Sequence, residues 1–152
     1  RNMTTVYDVP AAELIAKTGA LLKNNENIVP PEWALFVKTG PHREKEPQDA
    51  DWWYTRAAAI LRKVYISNGI GTERLSAEFG GSRDRGSKPN KAVRGGRSII
   101  RKTLLQLEQA GLVETKKGVG RIITPTGRSL LDKNSREVLQ DIIADNPELG
   151  KY

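Results

Sequence analysis

Apolar residues recur at helical spacing through most of this chain, and strand-like runs are confined to the region between Leu112 and Thr124. Leu14, Ile15, Thr18, Leu21 and Leu22 mark a first helix running to Lys23. Asp8 is placed to open it, because its carboxylate can accept hydrogen bonds from the free amides of a following turn. Asn24 to Asn27 breaks the pattern. Pro30-Pro31 suits the start of a short helix in which Trp33, Phe36 and Val37 share a face, and Gly40-Pro41 stops it. From Pro41 to Asp51 the only apolar residue is Ala50, so this stretch reads as an exposed loop with His42 as a surface residue.

Asp51 can cap a strong helix from Trp52 to Ile66, in which Trp53, Ala57, Ile60, Leu61 and Val64 form an apolar stripe wide enough to face a core. The other side carries Trp52, Arg56, Arg62 and Lys63. A tryptophan beside guanidinium groups offers stacking together with phosphate contact, whereas the plainer reading is that Trp52 caps the core. One helical wheel leaves both open.

Asn68 to Gly71 is a turn, and Thr72 caps a brief helix whose Leu75 and Phe79 pair at four-residue spacing before Gly80-Gly81 ends it. The next stretch, GGSRDRGSKPNKAVRGGRS, has five glycines and almost no apolar residue, so it can form no core of its own and must lie on the surface. Ser98 then caps a helix with Ile99, Ile100, Thr103, Leu104 and Leu107 facing inward, and Gly111 ends it. Leu112 to Thr115 and Arg121 to Thr124 read as two strands joined through a basic, glycine-containing tip at Lys116-Lys117-Gly118-Val119-Gly120. Pro125-Thr126 starts a last helix to Ala144, with Leu130, Leu131, Val138, Leu139, Ile142 and Ile143 inside.

Helix, short helix, helix and two-stranded hairpin, in that order from Trp52 to Thr124, is the order of a winged-helix module. The expected fold class is therefore mainly α: a winged-helix-like core with a small β-hairpin and additional N- and C-terminal helices. A single domain is expected over 3–146, with a flexible C-terminus at 147–152. Arg1 and Asn2 precede Met3, which reads as the natural initiator, so they lie before the expected domain.

Composition narrows the function classes. At 152 residues, 38% hydrophobic and 28% charged, the chain is that of an ordinary globular protein. It has no run of about 18 apolar residues and no secretory leader pattern, so no membrane partner is expected and the cytoplasm is the expected compartment. Without cysteine there are no disulfides, thiolate nucleophiles or Cys-containing metal sites. The formal charge is +7, which favours a polyanionic partner. Its location says more. Between Gly80 and Lys102 stand Arg83, Arg85, Lys88, Lys91, Arg94, Arg97, Arg101 and Lys102 against the single acid Asp84. Eight bases and one acid leave +7, as much as the whole chain carries. A solvated helix face usually mixes both signs, and this one does not, so it reads as a phosphate-binding surface. Helix-start amides add to the positive potential.

Catalysis finds no support. Gly81-Ser-Arg-Asp-Arg-Gly86-Ser-Lys superficially resembles a phosphate-cradling glycine loop, but Lys88 follows Ser87, a helix rather than a strand precedes it, and Pro89 interrupts any helix start. The acid pairs Glu44 with Glu46 and Asp49 with Asp51 lack the apolar surroundings that raise a carboxyl pKa. No metal, cofactor or small-molecule substrate is expected. The long glycine-rich insertion between the second and third helices of the module fits poorly with major-groove reading of DNA and better with an irregular RNA backbone.

Asp51-Trp-Trp-Tyr-Thr-Arg-Ala-Ala58, then Gly80-Gly81 with its basic loop, then Arg101-Lys-Thr-Leu-Leu-Gln-Leu-Glu108, resemble the S-nineteen-e family of small-subunit ribosomal proteins. The resemblance spans nearly the whole chain, with Asp8-Val9, Pro31-Glu32-Trp33, Gly120-Arg121 and Thr124-Pro-Thr-Gly127 at matching places. Trp53 departs from it, since the family often has another aromatic there, but keeps an apolar, core-facing character. The resemblance implies a place in the head of the small ribosomal subunit and a role in its maturation, without enzymatic activity. It implies RNA contact at Trp52, Arg56, Arg62, the basic loop and Arg101. The lack of a long basic C-terminal tail, with the methionine at position 3, resembles archaeal members more than eukaryotic ones.

The expected function is a structural constituent of the small subunit that binds ribosomal RNA beside neighbouring ribosomal proteins and is monomeric when free. Lys63 on the Trp52–Ile66 helix, Lys102, and Lys116 and Lys117 on the hairpin extend the expected RNA surface. The alternative is a winged-helix DNA-binding transcription factor, which usually adds a dimerisation surface, and no separate dimerisation helix is evident.

Overall fold

The computed structural model describes residues 4–32, 51–80 and 96–146. Among them lie a 3-10 turn at Val6–Asp8 and five α-helices: α1 (Ala11–Leu22), α2 (Asp51–Ser67), α3 (Thr72–Gly80), α4 (Gly96–Gln109) and α5 (Pro125–Asp145). An antiparallel hairpin of β1 (Val113–Lys116) and β2 (Gly120–Ile123) stands between α4 and α5. This is the mainly α, winged-helix-like arrangement that the sequence pattern predicts. The short helix expected after Pro31, the loop around His42, the basic loop and the tail at 147–152 lie outside the described residues. Contacts divide the chain into two compact units, Arg1–Ala59 with Ser129–Tyr152, and Ile60–Arg128.

In the first unit Val6, Leu14, Leu22, Ile28, Trp53, Ala57, Leu131 and Val138 are buried. Asp8 does not open α1. Its carboxylate instead accepts the Thr5 amide at 2.8 Å, closing a reciprocal cap on the 3-10 turn, and α1 follows Pro10 without a side-chain cap. Leu21 also departs from expectation, because it lies on the outer side of α1 and is 44% exposed. Gly19 faces α2 so closely that a Cβ there would come 3.3 Å from the Tyr54 carbonyl oxygen. Thr18 and Asn134 are both buried, and the amide of Asn134 donates to Thr18 Oγ1 at 3.2 Å, so α1 and α5 share a satisfied polar contact inside the core. Lys17 reaches Glu137 at 3.6 Å and Asp141 at 3.7 Å beside it.

The second unit carries the winged-helix order. Ile60, Leu61, Val64, Ile70, Leu75, Ile100, Leu104, Leu107, Leu112 and Val113 are buried. Helix α4 begins at Gly96, two residues before the expected cap, so Ser98 sits exposed in its first turn. At the other end Gly111 takes φ 80°, its amide bonds to the Glu108 carbonyl, and the Leu112 amide bonds to the Leu107 carbonyl, each at 3.0 Å. This pair of bonds is the Schellman arrangement, which needs a residue free to adopt a left-handed backbone. Thr124 caps α5 by accepting the Gly127 amide at 3.0 Å, with Pro125 at the first helical position. The strands pair Val113 with Ile123 and Lys116 with Gly120, one residue later on β1 and one earlier on β2 than the pattern suggests.

The hairpin is fixed to the turn after α2. Ile70 exchanges two backbone hydrogen bonds with Arg121, at 3.1 and 2.9 Å, and so adds a one-residue third strand. Gly120, at φ 108°, lies against Ile70 so closely that a Cβ would meet its carbonyl oxygen at 2.7 Å. From α4, the Glu108 carboxylate accepts the Thr115 hydroxyl at 3.1 Å and lies 3.5 Å from Arg121, which is opposite Thr115 in the hairpin register.

Candidate nucleic-acid interface

Helix α2 positions four of the expected RNA-binding residues. Its inner stripe, Trp53, Ala57, Ile60, Leu61 and Val64, is wholly buried, and Trp52, Arg56, Arg62 and Lys63 lie off that stripe, each half-buried. In the first unit Trp52 is half-buried and meets Trp53 edge to face, with ring centroids 5.6 Å apart. Arg56 is half-buried too, and burial pushes its guanidinium pKa below the ordinary value. The arginine stays charged at any physiological pH, so its charge sits where water screens it poorly and an anion is felt strongly.

In the second unit Arg62 is half-buried, with Nε out of contact with water and without a hydrogen-bond partner. Lys63 is bonded to Glu78 of α3 at 3.1 Å, and Arg97, in the first turn of α4, is bonded to Glu73 of α3 at 3.1 Å. Two of the expected phosphate contacts are therefore already occupied by carboxylates. Arg101 and Lys102 lie exposed one turn further along α4, off the buried stripe of Ile100, Leu104 and Leu107. Lys116 and Lys117 are exposed at the hairpin end. Arg83, Arg85, Lys88, Lys91 and Arg94 lie outside the described residues.

Arg74 and Arg128 are two further cations that the sequence pattern does not single out. Arg74 is exposed on α3, and its signal was its place next to Leu75 on a helix whose other charges are acidic. Arg128 lies 4.6 Å above the Tyr65 ring, a contact between distant positions that no local pattern announces. Among the described residues no group of three or more acids or histidines is placed to hold a metal ion, and no helix is long and apolar enough to cross a membrane.

The Glu73–Arg97 pair gives one expected result. Glu73 is 76% exposed on its side chain, so the bond adds little to stability, about 0.5 kcal/mol at most. Glu73→Gln should leave the melting temperature nearly unchanged and tighten binding to a polyanion such as heparin by about twofold to fivefold at low salt. Affinity that stays the same would show that Arg97 takes no part in anion binding.

The sequence matches the family model described as Ribosomal protein S19e over residues 5–141. The small ribosomal subunit protein eS19 of Aeropyrum pernix is 47% identical over 152 residues, covering 99% of each chain. Its namesake from Thermoplasma acidophilum is 44% identical over 150 residues, again covering 99% of each. The eS19B protein of Schizosaccharomyces pombe is 39% identical over 137 residues, which is 90% of this chain and 96% of that one. A match that runs from the first 3-10 turn into the last helix, with relatives this similar over their full length, establishes that the chain belongs to the Ribosomal protein S19e family.

Proposed function

We propose that this protein is a non-enzymatic, structural component of the small ribosomal subunit, binding ribosomal RNA in the head region and supporting subunit maturation. The supporting observation is the exposed pair Arg101 and Lys102 on α4, which no acid among the described residues neutralises, beside a sequence segment with almost no acids. Trp52, Arg56 and Arg62 on α2, Lys116 and Lys117 on the hairpin, and Arg83, Arg85, Lys88, Lys91 and Arg94 in the loop complete the proposed contacts. Lys63 and Arg97 join them only by exchanging Glu78 and Glu73 for phosphate. The relatives' names supply the assembly, and the charge supplies the chemistry by which this chain would join it. In this reading residues 3–146 serve as a single RNA-binding domain, monomeric when free and held among neighbouring ribosomal proteins.

Sedimentation of the tagged protein in cell extract tests the proposal. Co-migration with small subunits or their precursors is the expected result. Migration as a free dimer that shifts duplex DNA would replace it with the transcription-factor reading.

A further inference from the structure

The geometry points to the hairpin tip as a preset reader of double-helical RNA, laid across the shallow minor groove with Lys116 and Lys117 on phosphates and Val119 against the ribose edge. This rests on the RNA-binding reading above and deepens it by naming the kind of RNA.

Four observations lead there. First, the tip is held in place. Val119 and Gly69 approach so closely that a Cβ on Gly69 would overlap Val119 Cγ1, Gly120 lies against the Ile70 carbonyl, and Ile70 exchanges both backbone bonds with Arg121. These contacts tie the hairpin to the α2–α3 turn and fix where the backbone of Lys116 and Lys117 stands. Second, the turn itself is regular. The Val119 amide bonds to the Lys116 carbonyl at 2.9 Å, and Gly118 takes φ 81°, as the third position of a type II turn requires. Third, the charges of the tip itself, from Lys116 to Gly120, have one sign. Lys116 and Lys117 are exposed without a carboxylate partner among the described residues, and Val119, 44% exposed, adds an apolar surface between the charged residues and the α2–α3 turn.

Fourth, the tip lacks the groups that other nucleic-acid forms need. It has no aromatic ring on which an unpaired base could stack. It has no Asn, Gln or free Arg to read base edges, since Arg121 lies against Glu108. A rigid, basic, non-reading tip suits a surface recognised by shape. The A-form minor groove is wide and shallow and offers sugars and flanking phosphates, whereas the B-DNA minor groove, about 6 Å wide, is too narrow for a two-stranded ribbon.

The test compares the full-length protein with a Lys116→Gln/Lys117→Gln variant and a charge-matched control, Lys133→Gln/Arg136→Gln, changed on exposed positions of α5. Each is titrated with a blunt RNA duplex of about 16 base pairs, with one of its strands alone, and with the DNA duplex of the same sequence. The hairpin variant should bind the RNA duplex about fivefold to tenfold more weakly, with the slope of log affinity against log salt flattened by about 2. Its binding to the single strand should change less than about twofold, and the control should resemble the parent protein. Val119→Ser, with charge unchanged, should lower affinity for the RNA duplex by about twofold and leave the single strand unaffected. Equal losses on duplex and single strand, a comparable loss on duplex DNA, or no loss on the RNA duplex overturns the assignment. Should the parent protein bind RNA while the hairpin variants match it, only the hairpin assignment fails. Should the parent bind neither RNA, the RNA-binding reading falls with it.

Discussion

Gly127→Ala should destabilise the protein by about 3 kcal/mol, read as a lower midpoint in urea or thermal unfolding. Helix propensity alone predicts the opposite. Gly127 lies inside α5, where alanine is worth roughly 0.5–1 kcal/mol more than glycine. Packing decides the sign. An alanine Cβ would come 2.3 Å from the Leu112 carbonyl oxygen and 3.0 Å from Ile123 Cγ1. The first of these is backbone, and it is held because it accepts the Thr124 amide at 3.1 Å. Relief therefore requires the start of α5 to retreat from the hairpin base, which gives up the Thr124 cap or the close seat of Gly127 against Leu112 and Ile123. A variant as stable as the parent would mean that this backbone yields at little cost.

The two adjacent tryptophans should part company in the same way. Trp53→Ala removes the largest wholly buried side chain of α2 and should cost about 3–5 kcal/mol in unfolding. Trp52→Ala removes a half-buried ring that meets Trp53 edge to face, and should cost about 1 kcal/mol. The binding measurement reverses the order. Trp52→Ala should weaken binding to small-subunit RNA at unchanged fold, because an aromatic beside Arg56 can stack on a base, while any loss in Trp53→Ala should follow its unfolded fraction. Equal stability losses in the two variants would assign Trp52 to the core.

Much of this fold is legible in the sequence, for reasons that differ by element. All five stripe residues predicted for α2 are buried, because a 17-residue helix offers many turns over which the pattern repeats. Gly111 and Pro125 mark their boundaries correctly, since a left-handed cap and a first helical position each demand a residue type. Capping by Asp8 and Ser98 is misplaced, because an acceptor side chain satisfies whichever free amide tertiary packing brings to it. Asp8 serves Thr5 behind it, and α4 starts at Gly96 before Ser98 is reached. Asn134 and Ser135 break the apolar pattern of α5 yet are buried, and the partner that makes Asn134 tolerable is Thr18, far away in the chain. For the candidate interface, the sequence shows where positive charge is dense. It does not show that Glu73 and Glu78 engage Arg97 and Lys63, because those pairs exist only once α3 has packed beside α2 and α4.

Thr124 bears on how the hairpin region forms. Its hydroxyl donates to the Gly111 carbonyl at 2.7 Å while accepting the Gly127 amide, so one side chain joins the end of α4 to the start of α5. Its own amide bonds to the Leu112 carbonyl, which closes the chain between them into a small loop whose interior pairings are all near in sequence. Closing so short a loop costs little chain entropy, and contacts between near neighbours form quickly. The end of α4, the hairpin and the first turn of α5 therefore have the makings of a cooperative folding unit that can be complete before distant partners such as Thr18 and Asn134 meet.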